Sequence, residues 1–171
     1  MNKFFLVSVF LLVPIVIAEE VSDPFEDFNR VSFEFNEKLD EKLLKPIAKT
    51  YSKFPPKIKL GVTNFFNNLE DVETSLNQFL QGKPKKSLND ITRFIINSTI
   101  GLAGFVDVAS KIGLDRHEED FGQTLAVWGV GPGPYIMLPA FGPSTLRDTL
   151  SRPVSSFSSI TFHMTDADVN I

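Results

Sequence analysis

Between Glu118 and Asp148 the chain reads EEDFGQTLAVWGVGPGPYIMLPAFGPSTLRD, a block in which glycines and prolines interrupt large apolar side chains. That alternation excludes one continuous helix or a plain strand, because glycine opens positive φ whereas proline locks φ at about −65° and removes a donor. Gly129, Gly131 and Gly133 alternate with Val130, Pro132 and Pro134, which predicts a stiff, hinged hairpin over Gly129 to Tyr135. The apolar run Tyr135 to Leu138 is closed by Pro139 and by a second turn at Phe141, Gly142 and Pro143. Ser144 or Thr145 then caps a short helix carrying Arg147 and Asp148. The segment is not a nucleotide cradle, since it has neither a Gly-Lys-Ser/Thr ending nor GxGxxG between a strand and a helix.

Elsewhere helical spacing dominates. Phe25, Phe28, Phe35, Leu39 and Leu43 recur at three, four and seven residues behind the cap sequence Ser22-Asp23-Pro24. Ile58, Val62, Phe65, Leu69, Val72, Leu76 and Leu80 share one side of a second helix that Gly82 and Pro84 end. A third helix is predicted over Ser87 to Ile100, a shorter one carrying Phe105, Val108, Ala109 and Ile112, and another from Asp120 to Trp128. The fold class is therefore all-α, built from amphipathic helices, with strand confined to the Gly/Pro-rich hairpin. Such stripes serve either an ordinary core or an interface with lipid. Asn29, Ser32 and Asn36 set a polar stripe inside the first helix's apolar face, and it either bonds neighbouring elements or lines a polar path.

The two ends differ from this body. Lys3, the apolar stretch Phe4 to Ile17 and the small-residue site Val16-Ile17-Ala18 read as an export signal, residues 1–18, too short for a bilayer span. Residues 19–150 form the helical domain, and residues 151–171 a Ser-rich, weakly ordered tail. The formal charge of −4 becomes −5 once Lys3 is removed. Interspersed charge of that sign argues against nucleic acid and against electrostatic adhesion to anionic headgroups, leaving apolar contact as the route to a membrane. The chain has no cysteine, which excludes disulfides and thiolate metal sites within it.

Catalytic chemistry is missing from the pattern. In Asp115-Arg116-His117-Glu118-Glu119-Asp120 a zinc-protease helix would need a second histidine at position 121, which is Phe121. The segment reads instead as a solvated loop with Asp120 capping the next helix. No serine lies in GxSxG. Asn97-Ser98-Thr99 matches a glycosylation acceptor but reads more simply as helix surface. No enzyme, metal or cofactor is expected.

The block DFGQTLAVWGVGPGPYIMLP followed by FGPSTLRD resembles the signature of the VacJ/MlaA family, outer-membrane lipoproteins that maintain lipid asymmetry. The similarity continues through Asp23-Pro24-Phe25-Glu26, Phe28-Asn29-Arg30, Asn64 to Leu69, Leu80 to Lys83, Arg93-Phe94, Asn97, Gly101 and Phe105-Val106-Asp107. It implies a ring embedded in the outer membrane, on its periplasmic side. Through that ring mislocalised phospholipids leave the outer leaflet for a periplasmic lipid-binding carrier, with trimeric porins as partners. A soluble periplasmic scaffold or lipid-binding module is the alternative. Family members carry an acylated lipobox cysteine, which this chain lacks, so either the signal is retained or the folded body holds itself in the bilayer. On this reading Gly129, Gly131, Pro132, Gly133, Pro134 and Tyr135 form the hairpin at the pore mouth, and Asn29 and Asn36 line the pore. Asp120, Gln123, Arg147 and Asp148 brace the loop, while Trp128 and Tyr135 sit either at the lipid boundary or in the core.

Overall fold

The computed structural model describes residues 23–158, so the expected export signal at 1–18, Ser22 and the chain from 159 onward, with His163, lie outside the described residues. The described order is α1 (Glu26–Leu39), a π-helical turn (Asp40–Leu44), α2 (Lys45–Ser52), α3 (Pro56–Leu80) and α4 (Pro84–Thr99). A short 3-10 turn (Ser110–Ile112), α5 (Phe121–Val127), β1 (Tyr135–Leu138), β2 (Gly142–Thr145) and α6 (Leu146–Ser158) complete it. The chain is thus mostly helical, with strand in one hairpin only among the described residues. No helix among them is long and apolar enough to cross a membrane.

The most extensively packed pair is α3 with α4. They fold back on each other through a turn at Gly82, where Lys83 N–H bonds to Gln78 C=O at 2.8 Å and Gly82 N–H to Phe79 C=O at 3.0 Å. The seam between them is polar. On α3, Asn68, Asp71, Ser75 and Gln78 are buried at alternating spacings of three and four, and Asp90, Arg93 and Asn97 answer them from α4. The apolar stripe lies one residue, about 100°, around the helix, and its members Ile58, Leu76 and Leu80 are exposed. Only Leu69 of that stripe is buried.

Four local expectations are corrected. The helix predicted around Phe105 to Ile112 is a wound loop, because Asn97 captures its backbone: Asn97 Oδ1 accepts from Val108 N–H at 2.8 Å and Ala109 N–H at 2.9 Å. The same contacts make Asn97 a buried hub and not helix surface. The hairpin is not formed by Gly129 to Tyr135. It begins at Tyr135, which faces Thr145, and runs to Leu138 opposite Gly142. Pro132 and Pro134 have no N–H for a ladder, so pairing starts after the last of them. Finally, the boundary placed after residue 150 falls inside α6, where Ser151 is buried.

Candidate functional site

The Gly/Pro segment is suspended between two capped helices. Asp120 opens α5 by accepting Gln123 N–H at 2.7 Å. Gly129, at φ 90°, closes it: Val130 N–H bonds to Leu125 C=O at 2.9 Å and Gly129 N–H to Ala126 C=O at 3.0 Å. At the far end Thr145 Oγ1 accepts Asp148 N–H at 3.2 Å, capping α6 as the sequence predicts. The first turn of α6 holds the loop, because Leu146 N–H bonds to Pro134 C=O at 3.0 Å and Arg147 N–H to Pro132 C=O at 3.1 Å. The Arg147 guanidinium reaches Val130 C=O at 3.5 Å and donates through Nε to Asp148 at 2.8 Å. That bond holds the Asp148 carboxyl below the usual carboxylate range. Gln123 enters as the backbone donor to the α5 cap.

Asn29 and Asn36 carry the other face of the hairpin. Asn29 Oδ1 accepts Met137 N–H at 2.6 Å, and its Nδ2 donates to Tyr135 C=O at 3.4 Å and to Asp23 at 2.8 Å. Asn36 Nδ2 donates to Leu138 C=O at 2.9 Å while Oδ1 accepts Ala140 N–H at 2.7 Å. Of the two roles open to the polar stripe, these contacts correspond to bonding a neighbouring element. The side chains act as surrogate strand partners along β1. Tyr135 and Trp128 are both exposed, Trp128 tethered by its Nε1–H to Leu80 C=O at 3.2 Å.

A charged network not anticipated from the sequence lies in the α3/α4 seam. Arg93, 1% exposed, places Nε 3.4 Å from Asp71, which is equally buried, and NH2 3.3 Å from Asp107. Arg93 NH1 also donates to Ser110 at 3.0 Å and to Leu114 C=O. Arg116 joins from the loop, 2.7 Å from Glu70 and 3.7 Å from Asp71, and His117 Nδ1 sits 3.0 Å from the buried Asp90. The segment read as a solvated loop is therefore strapped across both helices. Burial pushes the Asp71 carboxyl up to about 7 against the opposing pull of Arg93 and Arg116. Its two oxygens have no hydrogen-bond partner among the described residues. Asp107 behaves oppositely: burial resists its charge, but bonds from Ser110, Arg93 and Asn97 hold its carboxyl below the usual range. Polar residues at coiled-coil spacing on α3 were the available signal, masked by the apolar stripe beside them.

Two further features bear on function. A cleft of about 670 Å³ opens between the hairpin and α6, walled by Leu138, Pro139, Phe141 and Pro153, with Glu73 and Arg152 at its polar edge. Arg152 lies 4.8 Å from the Phe141 ring centroid, and its buried Nε has no hydrogen-bond partner among the described residues. The outside of the helices is apolar: Phe28, Phe33 and Phe35 on α1, Phe66 and Phe79 on α3, and Leu88 and Ile95 on α4 are all exposed. Buried polar groups beneath exposed large apolar ones invert the usual arrangement of a water-soluble domain.

Comparison with known proteins agrees with this geometry. A family profile described as MlaA lipoprotein matches residues 21–171. The Intermembrane phospholipid transport system lipoprotein MlaA of Escherichia coli (strain K12) is 42% identical over 132 residues, covering 74% of this chain and 53% of that protein. An uncharacterized protein of Rickettsia typhi is 41% identical over 140 residues, 81% of this chain and 56% of that one. A solved structure described as the structural basis for maintenance of bacterial outer membrane lipid asymmetry superposes with TM-score 0.66 at 42% identity, covering 74% of this chain and 66% of its own. The chain spans about half the length of the curated relatives it matches. The profile match across nearly the whole chain and identities above 40% lead to one conclusion: the chain belongs to the MlaA lipoprotein family.

Proposed function

We propose that the chain forms part of a lipid-embedded helical ring that gives phospholipid headgroups a polar route out of the outer leaflet of the outer membrane. The observation that carries this reading is the inverted distribution of side chains: a polar α3/α4 seam inside, and aromatic and aliphatic side chains outside. Hydrocarbon accepts the latter at no cost, whereas a headgroup crossing hydrocarbon without polar partners pays a large desolvation penalty. The helices lie within the bilayer without crossing it, in keeping with their polarity, since none among the described residues is long and apolar enough to span it. The cleft beside the hairpin suits one acyl chain by volume and lining, and Arg152 at its edge suits a phosphate oxygen. The loop from Gly129 to Pro134, held by Arg147, stands at the entrance. Phospholipid then passes to a periplasmic carrier, with trimeric porins holding the ring; no bond is made or broken, so the activity is transport and not catalysis.

Two measurements test this. Purified protein mixed with phosphatidylcholine vesicles is expected to float with them in a density gradient; a monomer left wholly in the aqueous fraction overturns the proposal and favours the periplasmic scaffold. In cells lacking their own family member, the full-length protein is expected to lower surface-accessible phospholipid, and Arg152→Ala to diminish that effect with helicity unchanged.

A further inference from the structure

The net charge of −4 conceals a strongly cationic arm. Lys42, Lys45, Lys49, Lys53, Lys57 and Lys59 fall within eighteen residues that contain no Asp or Glu, so the remainder of the chain sums to −10. The first four recur at spacings of three and four through the π-helical turn, α2 and its C-terminal cap, which places them along one side of the helix. Leu43, Ile47, Tyr51 and Phe54 recur in the same way on the other side. Every residue from 41 to 58 is exposed, and α2 buries none of its side chains. Its principal packing partner is the adjoining π-helical turn, so the arm stands off the body. Lys45 pairs with Asp40 at 3.0 Å and Lys59 donates to Ser52 C=O at 3.3 Å, but Lys42, Lys49, Lys53 and Lys57 form no ion pair among the described residues.

We propose that α2 and its flanks, Lys42 to Lys59, are a docking surface for anionic phospholipid at a membrane–water interface. A helix with a lysine face and an aromatic-aliphatic face lies in the interfacial plane, its apolar side among the acyl chains and its ammonium groups at the phosphates. The apolar side already has the required shape: Pro46, Ile47, Thr50, Tyr51 and Phe54 line a shallow cleft of about 390 Å³. Charge complementarity selects the occupant, because a cationic arm on an otherwise anionic chain is drawn to negative headgroups while the body is repelled by them. The proposal departs from the expectation, drawn from net charge, that membrane contact is apolar alone.

The experiment measures partition of the full chain onto vesicles of phosphatidylcholine with and without phosphatidylglycerol, at low and high salt. Wild type is expected to bind the phosphatidylglycerol vesicles more tightly, with the preference collapsing as salt shortens the screening length. Replacing Lys42, Lys49, Lys53 and Lys57 by serine is expected to abolish that preference, a loss on the order of 1,000-fold if each lysine acts near the surface. Because these four side chains are exposed and unpaired, the variant's helical circular dichroism is expected to match wild type. Equal binding of wild type to both vesicles, or full preference retained by the lysine variant, overturns the proposal. Binding to phosphatidylcholine in either case leaves the lipid-embedded reading standing, so the two fail separately. Salt-sensitive capture of a soluble acidic protein with no vesicle preference assigns the arm to a protein partner and also overturns it.

Discussion

Asn29 Oδ1 accepts the Met137 N–H at 2.6 Å, joining the second turn of α1 to the middle of β1 across more than a hundred residues of sequence. Asn36 repeats the contact at Leu138 and Ala140. The spacing works because seven helical residues rise about 10.5 Å, and three strand residues advance about 10 Å. One heptad of helix therefore matches three residues of strand, and both amides meet the backbone in register.

Removing this clamp should loosen the hairpin before it unfolds the domain. Asn29→Ala leaves the buried Met137 N–H without its acceptor, at a cost of about 1–3 kcal/mol. The expected outcome is faster hydrogen exchange at Met137 and Ala140 in the Asn29→Ala/Asn36→Ala variant, with α3 and α4 amides still protected. Unchanged exchange along β1 would show that its own ladder suffices.

Ala140 occupies the left-handed region at φ 65°, held there by Asn36. A Cβ in that conformation costs about 1 kcal/mol, whereas glycine adopts it freely. Ala140→Gly should stabilise by roughly 0.5 kcal/mol after the greater chain entropy of unfolded glycine is counted. Thermal melts with and without the Asn36→Ala change would show whether the strain and the clamp are coupled.

Two glycines of the Gly/Pro loop should respond differently. Gly133 sits at φ 68°, and a Cβ there would lie 3.1 Å from Leu146 Cβ at the start of α6. Gly131 faces open space. Gly133→Ala is expected to cost about 1–2 kcal/mol and Gly131→Ala to stay within about 0.5 kcal/mol. Equal effects in denaturant titrations would argue against the packing of this loop on α6.

The Asp71 carboxyl binds its proton more tightly in the native state than in the unfolded chain, since burial raises it to about 7. Between about pH 4 and 7 the native state therefore holds the extra proton, and stability falls as pH rises through that window. From pH 6 to 8 the loss attributable to this group is about 1 kcal/mol, a few degrees in melting temperature. Asp71→Asn should flatten that slope. Asp107 and Asp148, whose carboxyls lie below the usual range, act with the opposite sign and only in acid, losing their stabilisation as pH falls. An unaltered slope in Asp71→Asn would place the titration elsewhere.

Local chemistry was legible in the residues themselves. Asp120 and Thr145 cap the helices they precede, Arg147 and Asp148 brace the loop, and the spacing from Ile58 to Leu80 specifies α3, because caps, glycines and periodicity act over a few residues. The motifs of the signature block likewise carried the family. Which face of α3 turns inward was decided only in three dimensions. Periodicity reports that a stripe exists and not what it meets, and here Asp71, Ser75 and Gln78 meet α4 while Leu76 and Leu80 face out. The same holds for Asn29, whose partner at Met137 is fixed by the packing of α1 on β1, and for Arg116 and His117, drawn onto carboxylates of α3 and α4. A long-range hydrogen bond or ion pair leaves no periodic trace, because its geometry exists only once distant elements have docked.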